Sequence, residues 1–216
     1  MTLYFIFNHL NAIVLAIRVV FLCVVAIAFY RPVWAVRTLG NISFSKLALI
    51  AIGLNLFYGL FVTWGQYYVW ATSGDFTRTL LSLPLSKEAP LPFLLEWTRT
   101  FFEHHLGYFS YYVLGRTWLN ILILFLISGA LYFIFRVWKF YRAGFLEQGP
   151  EILLVLMLIS GFPGVLVLIP LGFIFSILLF IFSYFKGDKI VNIEPVFILA
   201  AFFALLFTRT ILSMLQ

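Results

Sequence analysis

The strongest constraint in this chain is the run from Ile152 to Phe185, 34 residues without a charge. As one helix it would measure about 51 Å at ~1.5 Å per residue. A bilayer's hydrocarbon core is about 30 Å thick, and modest tilt cannot absorb the difference. A third of the way along stands Gly161-Phe162-Pro163-Gly164. Proline cannot donate to the preceding turn, and the flanking glycines admit backbone angles closed to other residues. The run therefore divides into a short helix over Ile152 to Ser160, a tight turn, and a full-length helix over Val165 to Phe185. Pro170 falls near the start of the second piece, where it is tolerated. Lipid offers no partner to the backbone groups freed at the turn, so they must be buried in protein or wet. The short helix is accordingly expected to be enclosed by other spans, with Gly149 to Glu151 opening toward the cytoplasm beside Glu194.

The remainder of the chain obeys the same solvent. Of its residues, 64% are hydrophobic and 10% charged, whereas a water-facing surface needs about a quarter charged. Four further apolar stretches have spanning length: Ala12 to Tyr30, Leu47 to Trp70, Thr117 to Phe135 and Pro195 to Leu215. The first is expected to be retained, because no basic start precedes it and no small-residue cleavage site follows. The expected fold is an all-α, polytopic helical membrane bundle of about six membrane helices, one of them short and broken, with an outer interfacial helix. Residues 1–216 are read as a single membrane domain: two spans in 1–70, an outer polar and interfacial segment in 71–116, then a span, the broken-helix hairpin and a last span in 117–216. The single Cys23 excludes a disulfide framework and a cysteine-based metal site.

The excess of Lys and Arg sets orientation rather than a nucleic-acid surface. Arg31, Arg37 and Lys46 follow the first span, Arg136, Lys139 and Arg142 the third, and Lys186 and Lys189 precede the last. All lie on the cytoplasmic side if 71–116 stays outside and the long block enters and returns. The N-terminus is then non-cytoplasmic. A span over Phe93 to Val113 would send the Arg136 to Arg142 cluster outward, so that stretch is read as an interfacial helix. Trp64, Tyr67, Tyr68, Trp70, Trp97 and Trp118 gather at the outer boundary, as aromatic belts do. Arg18 and Arg209 lie toward the outer ends of their spans and are expected to snorkel outward. No internal repeat of the kind found in many transporters is present.

Among the outer polar residues, Glu96, Arg99 and Glu103 would share a helix face, with an i, i+4 ion pair between Arg99 and Glu103. His104 and His105 complete this cluster. A metal site would need His104 to converge with Glu103 or His105, but adjacent helical residues point about 100° apart, and neither HxxxH nor HExxH occurs. The cluster is read as a charged outer face, without metal or cofactor. The run Trp64-Gly65-Gln66-Tyr67-Tyr68-Val69-Trp70 resembles the tryptophan-rich motif of membrane haem-handling proteins of cytochrome c maturation. Tyr68 stands for a Trp and Ala71 for the closing acid, and His9, His104 and His105 are the only imidazoles; a boundary belt accounts for the run as well.

A longer correspondence runs from Gly129 to Phe207. A helix ending in Arg136-Val137-Trp138-Lys139-Phe140-Tyr141-Arg142 leads to Glu147-Gln148-Gly149-Pro150-Glu151 and the Gly161-Phe162-Pro163-Gly164 turn. A second apolar helix, a basic loop and Glu194-Pro195-Val196-Phe197-Ile198-Leu199-Ala200-Ala201 follow. Order and spacing resemble the type IV prepilin peptidase family, which places these loops in the cytoplasm. Members are aspartic proteases, one aspartate lying in a GxGD motif. Gly149 matches the second glycine of that motif, but Pro150 or Glu151 stands where the aspartate belongs. The chain's aspartates are Asp75 and Asp188, placed on opposite sides, where they cannot share a proton. The resemblance therefore implies a scaffold whose catalytic pair is lost.

Glu147, Glu151 and Glu194 can be read as interface anchors at helix starts, where carboxylates complement the helix dipole. With Gly149, Gly161, Pro163 and Gly164 they can also be read as lining a cytoplasm-facing cavity at a broken helix. The leading expectation is a non-catalytic membrane subunit or scaffold acting through helix contacts, with Ala12 and Ala16 or Ala200 and Ala204 permitting close approach. The alternatives are a small transporter or channel subunit, or an intramembrane enzyme using Glu151 and Glu194. The expected partners are the lipid bilayer and other membrane subunits, not nucleic acid.

Overall fold

The computed structural model describes residues 9–30, 32, 43–91, 93–141, 148–186 and 192–214, and these are helical, turn or irregular without a strand. Glu147 and Asp188 lie outside the described residues, as does the side chain of Arg209. The helices are α1 (Leu10–Tyr30), α2 (Phe44–Thr72), α3 (Asp75–Ser82), α4 (Arg99–Phe102), α5 (Gly107–Val113), α6 (Leu119–Tyr141), α7 (Gly149–Ser160), α8 (Gly164–Lys186) and α9 (Glu194–Met214). A 3-10 turn, Phe93–Thr98, precedes α4, and a π turn, Leu114–Trp118, joins α5 to α6.

Four stretches are long and apolar enough to cross a membrane: Leu10–Tyr30, Phe44–Thr72, Gly107–Trp138 and Gly164–Lys186. Gly149–Ser160 is a shorter apolar helix, and α9 is 21 residues long. The helical stretch that holds the expected third span begins at Gly107, ten residues before Thr117. The expected continuous helix over Phe93 to Val113 is broken instead. Leu106 takes a left-handed φ of 69°, and the backbone of Gly107 packs so closely on the Phe102 carbonyl that a Cβ there would collide with it.

The described chain falls into two compact units, 1–55 with 123–216 and 56–122. In the first, α7 is the centre: every residue from Ile152 to Ser160 except Leu154 is buried. Around it pack Leu22 and Val25 of α1, Leu47, Ala48 and Ala51 of α2, Leu124 and Phe135 of α6, Val165 and Leu168 of α8, and Phe197, Ile198, Ala200, Ala201 and Ala204 of α9. Lipid tails are as apolar as leucine, so this core is held by close packing and interhelical hydrogen bonds rather than by escape from water. Ala200, Ala201 and Ala204 are fully buried, their small side chains bringing α9 against its neighbours. In the second unit Leu81, Phe109 and Val113 form a small core with Trp70, Tyr112 and Trp118 packed on it.

The register of α8 against α9 follows from two close approaches. A Cβ built on Gly164 lies 3.5 Å from the Thr208 hydroxyl, and one on Gly172 would meet the Phe197 ring. The helices are therefore antiparallel, and Glu194, three residues before Phe197, starts α9 level with about Phe175 of α8. From Phe175 to Lys186 is a further eleven residues, about 16 Å of helix. The last turns of α8 project that far past the start of α9.

Candidate functional site

The break at Gly161 is built from the residues that foretold it. Gly161 has φ 66° and ψ 177°, a region essentially reserved for glycine. Its N–H donates to the Met157 carbonyl at 3.3 Å, and its own carbonyl accepts from Val165 N–H at 2.7 Å. Pro163 lies in the turn and its carbonyl accepts from Leu166 N–H at 2.9 Å.

A helix leaves its last carbonyls without intrahelical partners, and at this end two side chains from other helices supply them. Asn55 of α2 donates from Nδ2 to the Leu158 carbonyl at 3.0 Å, and to the Ala51 carbonyl of its own helix at 2.8 Å. Arg18 of α1 donates from Nη1 to the Ser160 carbonyl and from Nη2 to Asn55 Oδ1, each at 3.3 Å. The Ser160 hydroxyl donates back to the Leu156 carbonyl at 2.9 Å. Asn55 and Ser160 are 5% and 3% exposed, so the groups that receive Arg18 are buried in the protein while the Arg18 bonds themselves are part-buried. The guanidinium sits on the negative end of the α7 dipole, where a cation is favoured, and against Gly161, where a Cβ would overlap it.

This corrects the expectation that Arg18 snorkels outward. With α1 beginning at Leu10, Arg18 lies eight residues, about 12 Å, into the helix, and its head is turned onto α7. Neither Arg18 nor Asn55 stood among the sequence-derived site residues. The available signal was their polarity within spans, which in membranes marks a partnered position.

Glu151, in the first turn of α7, lies at its other end, eight to ten residues from Ile159 and Gly161 and about 15 Å away along the helix. Gly149 and Pro150 beside it are buried. The structure thus places Gly161, Pro163 and Gly164 at one end of the short helix and Gly149 and Glu151 at the other, and the expected cavity set is not one cluster. Tyr132 of α6 donates its hydroxyl to Glu151 Oε1 at 3.5 Å, and Arg136 donates from Nη1 to the same hydroxyl at 3.0 Å. Glu151 Oε2 is buried with no hydrogen-bond partner among the described residues. Glu194, the first residue of α9, is fully buried. Two carboxylates thus stand at the starts of α7 and α9, at the positive ends of their dipoles. Chemically they are acceptors suited to a proton or a cation.

In the second unit Glu96 and Arg99 form a two-pronged ion pair, Nε to Oε1 at 2.7 Å and Nη2 to Oε2 at 3.1 Å. Arg99 pairs with Glu96 rather than, as expected, with Glu103, because the 3-10 turn brings the i, i+3 neighbour round. Arg99 also donates to the carbonyls of Lys87 at 2.7 Å and Ala89 at 3.1 Å. The hydrogen bond from Arg99, and secondarily its charge, hold the Glu96 carboxyl below its ordinary titration range. His104 and His105 are exposed in the turn before Gly107. Among the described residues no group of three or more His, Cys, Asp or Glu converges to hold a metal ion. Trp70 packs on Tyr108, Phe109 and Tyr112, with ring centroids 5.1 to 6.1 Å apart.

No family model, curated protein or solved structure matches the chain.

Proposed function

We propose that the chain is a non-catalytic integral membrane subunit or scaffold that works through helix–helix contacts in a membrane assembly. The observation that carries this reading is the use of its intramembrane polar groups. Arg18, Asn55 and Ser160 are engaged in joining α1, α2 and α7 to one another, so their chemistry is spent on architecture. Ala200 and Ala204 serve the same end inside the chain, whereas Ala12 and Ala16 stay on the exposed side of α1, where small residues admit a partner helix. In this proposal about six helices occupy the membrane, α7 as the short member. The N-terminus is non-cytoplasmic and 71–116 outside, as the Lys and Arg distribution asks. The prepilin peptidase resemblance supports a degenerate relative that keeps the helix order without the aspartate pair.

One observation favours a second reading, a small transporter or channel subunit with a cytoplasm-facing cavity. It is the buried Oε2 of Glu151, without a hydrogen-bond partner among the described residues, at the start of a broken helix of the sort transporters use for ions. The deciding experiment is purification from native membranes at low detergent, with and without Ala12→Leu and Ala16→Leu. A scaffold brings a defined partner that the double variant loses. A chain that purifies alone, and that in vesicles conducts a cation flux lost in Glu151→Gln, would overturn the scaffold reading for the transporter.

A further inference from the structure

We infer that the C-terminal end of α7 is a built cation site whose cation is supplied by the chain itself, the guanidinium of Arg18, and that a free planar cation can take its place. Broken membrane helices commonly present their C-terminal carbonyls to small cations, the negative helix end and the freed acceptors together making the site. The same elements converge here. The Ser160 carbonyl and Asn55 Oδ1 each accept one arm of Arg18 at 3.3 Å. Asn55 is in turn oriented by its bonds to the Ala51 and Leu158 carbonyls, which fixes Oδ1 toward the guanidinium. Gly161 completes the seat: a Cβ there would occupy the space of the guanidinium carbon and both its terminal nitrogens. The acceptors take two donors of one planar fork, a geometry that guanidinium meets and a spherical ammonium does not. Arg18 is tethered from α1, 142 residues away in sequence from Ser160, so the site joins the first helix to the broken one. This inference holds whether the molecule is a scaffold or a transporter, since in either case the site is filled from within.

Chemical rescue tests it. Arg18→Ala in the full-length chain, held in lipid nanodiscs, empties the seat, and the melting midpoint is expected to fall by about 5–10 °C. Millimolar methylguanidinium should recover most of that loss, while sodium chloride at equal ionic strength and methylurea at equal concentration should not. Arg18→Ala with Asn55→Leu should melt low and gain nothing from methylguanidinium, because Oδ1 is gone. Arg18→Lys should melt between the wild type and Arg18→Ala. If Arg18→Ala cannot be recovered as folded protein, the readout becomes yield when it is prepared with and without methylguanidinium, and recovery only with the cation supports the site. The inference is overturned if Arg18→Ala melts with the wild type, if methylguanidinium raises all variants alike, or if it restores neither midpoint nor yield.

Discussion

At Gly161 two independent demands meet in one residue, a backbone conformation reserved for glycine and a guanidinium where a side chain would begin. Gly161→Ala is therefore expected to destabilise by more than the ~1–3 kcal/mol that the strained backbone alone costs, measured as a fall in thermal midpoint in detergent. Gly53, whose Cβ would meet nothing within 4 Å, is the control, and Gly53→Ala should be neutral or mildly stabilising, since alanine favours a helix by ~1 kcal/mol. Ser128 sits fully buried in α6 with its hydroxyl unpartnered among the described residues. Leaving such a group unpaired costs about 1–3 kcal/mol, so Ser128→Ala should hold or raise the midpoint, and a clear loss would reveal a partner for that oxygen. The glycine turn was legible in the sequence because proline and glycine act through local backbone geometry. The partners of the turn were not, because Arg18 and Asn55 reach it from helices far off along the chain, and a pattern of hydropathy carries no information on which way a polar side chain points.

The stretch between α2 and α6 shows the same limit at the level of an element. Spacing alone gives Glu96, Arg99 and Glu103 a common helical face, but Leu85 N–H donates to the Phe102 carbonyl at 2.8 Å and Tyr108 N–H to the Leu83 carbonyl at 3.1 Å. These contacts across the segment replace helical continuity, and Arg99 fastens the result by holding Glu96 together with the Lys87 and Ala89 carbonyls. Arg99→Ala should free 84–98 and speed proteolytic cleavage there several-fold, without lowering the midpoint of the membrane core. The acid dependence has a definite sign. Glu96 titrates lower when folded, so the pair's contribution is present in full above the unfolded value of about 4.3 and is lost as pH falls through the lower folded value. Proteolysis of the wild type should thus approach that of Arg99→Ala only in strong acid, while the variant shows no such step. By contrast the division of 152–185 into α7 and α8 was readable in advance, since length against bilayer thickness allows few other solutions.

For the whole chain, the arrangement of charge predicts labelling. In a Cys23→Ala background, cysteines at Ser43 and Asn192 should be shielded from an external impermeant thiol reagent and one at Ser86 should react. External reaction at 192 would reverse the proposed in-and-out path of α7 and α8. The staggered start of α9 carries a further consequence. At about 34 Å and about 31 Å, α8 and α9 each suit an ordinary bilayer, but α9 starts about 16 Å short of the end of α8. The two lie side by side but offset, so no single position in the bilayer centres both. Lipids bordering α9 must shorten or tilt their tails, or let headgroups and water settle toward Glu194. The molecule is in this sense a local thinner of its own membrane, and its stability should rise as acyl chains are shortened, peaking in lipids thinner than those that best fit α8 alone.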